Sequence, residues 1–161
     1  GEELGQLETE LSYDELTDPQ GLMFWPADKG RDGCRTPMVW DAQAPHGGFT
    51  DATPWLPVKA PQWQRAVSAQ GAESVLAFYR EMLAFRRAQP ALREGDIVFH
   101  DVPHPLLAFT RGDAVLCVFN LSAAPVSVSL PHGDMLLGEG IETTGDEISL
   151  AASGFGFFNA G

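Results

Sequence analysis

Gly30-Arg31-Asp32-Gly33-Cys34-Arg35-Thr36-Pro37-Met38-Val39-Trp40-Asp41 is the stretch on which the reading of this chain turns. It sets two arginines and two aspartates in a loop punctuated by Gly and Pro, beside an indole. Arginine carries a planar fork that can hold a carboxylate and a sugar hydroxyl together. Tryptophan offers an apolar face on which a pyranose ring can lie. Arg–Asp pairs in loops also serve as internal braces, the commoner role, so chemistry alone leaves both readings open.

Around this stretch, residues 1–72 are rich in Gly, Pro, Asp and Trp and show little periodicity. Their prolines recur too often for long helices. One short helix is predicted at Ser12–Leu16, with Ser12 as cap and Glu15 three residues on. All four tryptophans (Trp25, Trp40, Trp55 and Trp63) fall here, with Phe24 and Phe49. Sugar sites use such aromatics, but packing is the expectation for any single one. Further on, Val75, Leu76, Tyr79, Met82, Leu83 and Arg86 keep the 3, 4 spacing of one helical face, widened by Phe78 and Phe85, and predict a helix over 73–89 with a core-facing stripe. Pro90 ends it.

Residues 93–161 read as β. Short runs rich in β-branched and aromatic residues at 96–100, 106–110, 114–120, 125–130 and 147–150 are separated by turn signals at 103–105, Arg111-Gly112-Asp113, His132-Gly133-Asp134 and Thr144-Gly145-Asp146. Val126, Val128 and Leu130 alternate with Ser127 and Ser129, as in a half-buried strand. A small antiparallel sandwich is expected.

The remaining chemistry is sparse. Ten Lys and Arg against 22 Asp and Glu give a net charge of −12, which argues against nucleic acid, anionic membranes and phosphorylated substrates, and suits a neutral ligand. Cys34 and Cys117 form no CxxC pair and are expected as isolated buried thiols. The histidines (46, 100, 104 and 132) lack metal-ligand or triad spacing, so no metal and no cofactor are expected. Glu2 and Glu3 are adjacent and cannot face one bond from opposite sides, as the acid and nucleophile of a glycosidase must. No apolar run is long enough to span a bilayer. The N-terminal residues carry no export signal and no initiator Met. The chain is therefore expected to be cytoplasmic and to start within a longer protein, or after processing.

Taken in order, Gly1-Glu2-Glu3-Leu4-Gly5, the 30–41 motif, Gly47-Gly48-Phe49-Thr50, Pro54-Trp55-Leu56, Phe85 to Leu92 and Val118-Phe119-Asn120-Leu121-Ser122 resemble the C-terminal portion of α-glucosidases and oligo-1,6-glucosidases of glycoside hydrolase family 13. The resemblance implies an α+β fold: the last loop and helix of a (β/α)8 TIM barrel over residues 1–91, then an all-β antiparallel sandwich, domain C, over 92–161. It implies retaining hydrolysis of terminal α-linked glucose, with the nucleophilic Asp, acid/base Glu and stabilising Asp all upstream, so no catalytic residue is expected in this segment. The family's Gly-Arg-Asp arginine reaches the glucose pocket, which points to Arg31 as substrate-binding and to Asp32 as a weaker candidate. Arg35 and Trp40 are expected to brace the loop. The implied partners are an α-glucoside oligosaccharide and the missing N-terminal barrel segment, without which hydrophobic faces over residues 1–90 would be bare. The Gly33-Cys34 and Val39 forms look more like α-glucosidases of Gram-negative type. The alternative is a non-catalytic carbohydrate-binding or scaffold domain of the same superfamily.

Overall fold

Runs of β-branched and aromatic residues over the last 65 residues build a single antiparallel sheet. The computed structural model describes all 161 residues, in two units: Gly1–Leu83 and Ala84–Gly161. The second holds β1 (Ile97–Phe99), β2 (Leu106–Arg111), β3 (Val115–Asn120), β4 (Val126–Ser129), β5 (His132–Thr144) and β6 (Glu147–Ala160). Strands run in the order β1-β2-β3-β6-β4, with β5 also paired to β6.

Strand β6 serves two halves of this sheet. Its start pairs with β4 (Val126 opposite Leu150) and its end with β3 (Val118 opposite Gly156), while β5 follows it along the other edge. Between the halves the hairpin bends. Ser153 has a positive φ of 56° and Gly140 one of 59°. A Cβ on Gly154 would lie 2.4 Å from the Gly140 carbonyl oxygen, so only glycine admits this approach. The bend brings Ile148 and Leu150 from one half onto Leu106, Ala108, Leu116, Val118 and Phe158 from the other, and these buried side chains form one core. The expected sandwich is thus one curled sheet whose two halves face each other across the core.

Asn120 pins the bend. Its buried amide nitrogen donates to Ala124 O and Ala151 O, both at 2.7 Å, and its oxygen accepts from Ser122 N–H at 3.1 Å and the Ser122 hydroxyl at 2.8 Å. Nearly all of its hydrogen-bonding capacity is used.

Two strand expectations need correction. His132-Gly133-Asp134 is no turn but the start of β5, and β6 continues ten residues past the expected end, from Leu150 to Ala160. The glycines there mark bulges and close backbone approaches inside strands, a use that reads in sequence like a turn signal. The other three turn signals fall between strands as expected.

In the first unit, Ser12–Leu16 forms only a short 3-10 turn, Tyr13–Glu15, whose Glu15 carboxylate accepts from the Ser12 N–H at 2.9 Å. Two brief helices, α1 (Pro19–Phe24) and α2 (Ala60–Trp63), open on prolines. At the first turn a proline fits without loss, since its missing N–H would have no helical partner there. The long helix α3 spans Val75–Ala88, with the Ser74 hydroxyl accepting from Ala77 N–H at 3.2 Å; its residues from Ala84 onward, and a short α4 at Ala91–Glu94, belong to the second unit. The core-facing stripe of α3 is not realised within this chain. Leu76 is its one buried residue, and Val75, Phe78 and Leu83 stay exposed. At its C-terminal end Phe85 meets Phe157 of β6 with ring centroids 5.0 Å apart. The thiols also differ from expectation: both are free and Cys117 is buried, but Cys34 is exposed. Cys34 ends a 3-10 turn (Asp32–Cys34) whose inner side is taken by Asp32 and Gly33.

Candidate substrate-binding loop

The 30–41 loop is organised around a buried carboxylate. Asp32 is 1 % exposed, and its Oδ2 accepts from Thr17 N–H (2.6 Å), Asp18 N–H (2.7 Å) and the Thr17 hydroxyl (3.1 Å). Three donors on one oxygen compensate its desolvation. Asp18 supplies the second layer. Its Oδ1 caps α1 by accepting from Gln20 N–H at 3.0 Å, and its Oδ2 accepts from Arg31 N–H at 3.0 Å and from Arg35 Nη1 at 3.1 Å. These contacts, the Arg31 N–H first and the Gln20 N–H next, hold the Asp18 carboxyl below the usual carboxylate range. Arg35 also stands 3.8 Å from Asp32 Oδ1.

Arg31 is held differently from its neighbours. Its backbone is fixed through Asp18, while its side chain is exposed. Gly30 before it has φ 67°, and a Cβ there would sit 2.8 Å from Asp18 Cγ, so the turn that presents Arg31 requires glycine. The structure therefore brings Arg31, Asp32 and Arg35 together on one turn.

Trp40 is held by other contacts. Its N–H donates to Gly47 O at 2.8 Å, its carbonyl accepts from Ser68 N–H at 3.0 Å, and its indole is half exposed. Val39, fully buried, lies beneath Gly47, where an added Cβ would come within 2.9 Å of Val39 Cγ1. The packing expected for the loop aromatics holds for Trp25, which joins Leu11, Leu16 and Leu56. It fails for Phe24, Phe49 and Trp55, which remain exposed.

Two further residues, Asp18 and Gln62, hold the loop. Asp18 directly precedes Pro19, the pattern of a helix cap followed by proline. Gln62 is buried, donating to Thr36 Oγ1 at 3.0 Å and accepting from Lys59 N–H at 2.8 Å. Nothing in its local sequence signals that role. No three His, Cys, Asp or Glu side chains gather as a metal ion would require, and no helix is long and apolar enough to cross a membrane.

Comparison with known proteins fits this loop and sheet into a family. The family model described as alpha amylase, catalytic domain, matches residues 1–95. The chain belongs to the α-amylase family. It is 50 % identical over 136 residues to a probable alpha-glucosidase of Rhizobium meliloti, covering 81 % of this chain and 24 % of that protein. It is 33 % identical over 159 residues to an oligo-1,6-glucosidase of Heyndrickxia coagulans, covering 89 % and 28 %. The chain thus spans about a quarter of the length of these curated relatives. Among solved structures, the alpha-glucosyl transfer enzyme XgtA superposes with a TM-score of 0.86 at 44 % identity, over all of this chain and 32 % of that one.

Proposed function

We propose that this chain is the C-terminal part of a retaining α-glucosidase that removes terminal α-linked glucose from oligosaccharides. On this reading residues 1–91 complete a catalytic barrel, residues 92–161 form its β domain, and the chain is inactive without its N-terminal segment. The observation that carries the proposal is the contrast on one turn: Asp32, Asp18 and Arg35 are spent on bracing, while Arg31 keeps its guanidinium exposed. A rigid backbone under an exposed planar donor suits recognition of a sugar hydroxyl, because little freedom is lost on binding. The nucleophile and acid/base come from upstream strands. The carboxylates placed here do not substitute for them: Glu2 accepts a hydrogen bond from the Tyr79 hydroxyl and Glu15 pairs with Lys59. The substrate is neutral, the protein works in the cytoplasm, and no cofactor takes part.

The test is hydrolysis of a chromogenic α-glucoside by the full-length protein, by this chain alone, and by this chain mixed with the N-terminal segment. Activity is expected in the first and third cases. In the full-length protein Arg31→Ala is expected to lower kcat/KM about 10- to 100-fold, the loss of one charge-assisted hydrogen bond. Activity from the chain alone, or an Arg31→Ala variant as active as the parent, would overturn the reading. The second reading, a non-catalytic carbohydrate-binding or scaffold domain, draws on the exposed indoles of Trp40 and Trp55. Sugar binding by the full-length protein without any hydrolysis would favour it.

A further inference from the structure

Three cations, Lys29, Arg31 and Arg35, lie within seven residues, and the fold treats them unequally. Lys29 pairs with Glu10. Arg35 stands 3.1 Å from Asp18 Oδ2 and 3.8 Å from Asp32 Oδ1. Arg31 pairs with no carboxylate of this chain. Yet one lies directly against its turn. A Cβ on Gly30 would sit 2.8 Å from Asp18 Cγ, and Asp18 Oδ2 accepts the Arg31 N–H at 3.0 Å. Asp28, also close in sequence, is taken by the Gly30 N–H at 2.8 Å and the Gln20 amide at 2.6 Å.

An arginine so near a largely buried carboxylate has every reason to fold back onto it, because a charge-assisted pair gains most where water is excluded. Its fork would then be spent. Arg35 removes that option in two ways. Its Nη1 takes the same Asp18 oxygen, and its charge repels a second guanidinium. After the Arg31 and Gln20 N–H groups, the charge of Arg35 is what holds the Asp18 carboxyl below its usual range. We propose that Arg35 is a positioning residue for Arg31: by occupying Asp18 and Asp32 it keeps the Arg31 guanidinium from turning back onto the Asp18 carboxylate. The proposal rests on the reading of Arg31 as the group that binds the sugar. Without Arg35, Arg31 divides its time between sugar and Asp18. Apparent affinity falls with the competent fraction, while saturating substrate restores that fraction, so KM rises and kcat holds.

Steady-state hydrolysis of a chromogenic α-glucoside by the full-length protein is the test. Arg35→Met, which keeps length and loses charge, should raise KM about three- to tenfold, with kcat within about twofold of the parent. Arg35→Lys, which keeps the charge, should raise it less. Adding Asp18→Asn should return the KM of Arg35→Met to within about twofold of the parent, because the amide still accepts the Arg31 N–H but no longer draws its guanidinium. On an Arg31→Ala background, Arg35→Met should change KM no further. Near-ultraviolet circular dichroism checks each fold, and Arg35→Gln serves where Arg35→Met does not fold. A parent-like KM in Arg35→Met, or a fall in kcat in its place, would overturn the proposal. So would a penalty that Asp18→Asn leaves standing, which makes Arg35 a brace and nothing more. A further rise in KM on the Arg31→Ala background would overturn it by placing Arg35 on the substrate itself. Those failures leave the reading of Arg31 intact, whereas an Arg31→Ala variant as active as the parent overturns both.

Discussion

The two units of this chain reach order by different means. The sheet unit is held by strand ladders and one continuous apolar core, to which both halves of the curled sheet contribute. The loop unit has small clusters such as Leu11, Leu16 and Leu56, and relies on side chains that bond to backbone: Asp32 to Thr17 and Asp18, Gln62 to Pro37, Gln70 to Leu4. A ladder with a core is cooperative, because each strand depends on its neighbours. A web of single polar contacts is specific, but each one contributes only about 0.5–1.5 kcal/mol net, more where a charge is involved. Scaffold and presented loop therefore differ in what damages them.

The largest effect is expected in the core. Phe158→Ala should destabilise the sheet unit by about 3–5 kcal/mol, read from denaturant midpoints, because the ring is fully buried between both halves. A loss below about 1 kcal/mol would mean that the halves do not share a core. Next is the brace of the loop unit. Asp32→Ala leaves the Thr17 and Asp18 N–H groups without their acceptor and should cost about 2–3 kcal/mol. Hydrogen exchange should quicken around residues 17–35, while sheet amides keep their protection. Equal quickening in both units would collapse the distinction.

Acid should separate the units further. The Asp18 carboxyl is held below its ordinary value by the Arg31 and Gln20 N–H groups. Its folded pKa therefore lies under the unfolded one. Its contribution is fully present above the unfolded pKa of about 3.9 and is lost as pH falls through the folded value. Loop-unit protection should drop below about pH 4, and Asp18→Asn should remove that part of the acid sensitivity. The smallest effect is chemical. Cys34, exposed, should react with a thiol reagent at pH 8, whereas Cys117, buried and with its pKa pushed up to about 11, should react only on unfolding.

Regular parts of both units could be read directly from sequence. The alternation at Val126–Leu130 and the 3, 4 spacing from Val75 give β4 and α3 nearly to the residue, because side-chain period follows backbone geometry. The 30–41 motif marked the candidate loop. Its internal division of labour was harder to see, since whether an aspartate braces or binds depends on residues 14 or 15 positions away. The bulged strand β5 was lost for a related reason. Gly133, Gly138 and Gly140 speak locally for turns, and only pairing with β6 overrides them. The exposure of Trp55 has no sequence signature at all.

The same bulges have a consequence for the life of the protein among its copies. Strand β5 runs for thirteen residues and is paired along β6. A flat edge of that length would be a template for another chain, and aggregation would follow. Its register slips between His132 and Met135, between Met135 and Leu137, and between Glu139 and Ile141. Each slip turns donors and acceptors out of line, so no long uninterrupted row is offered to an incoming strand. The irregularity that hides β5 from a sequence reader also makes it a poor seed for fibres.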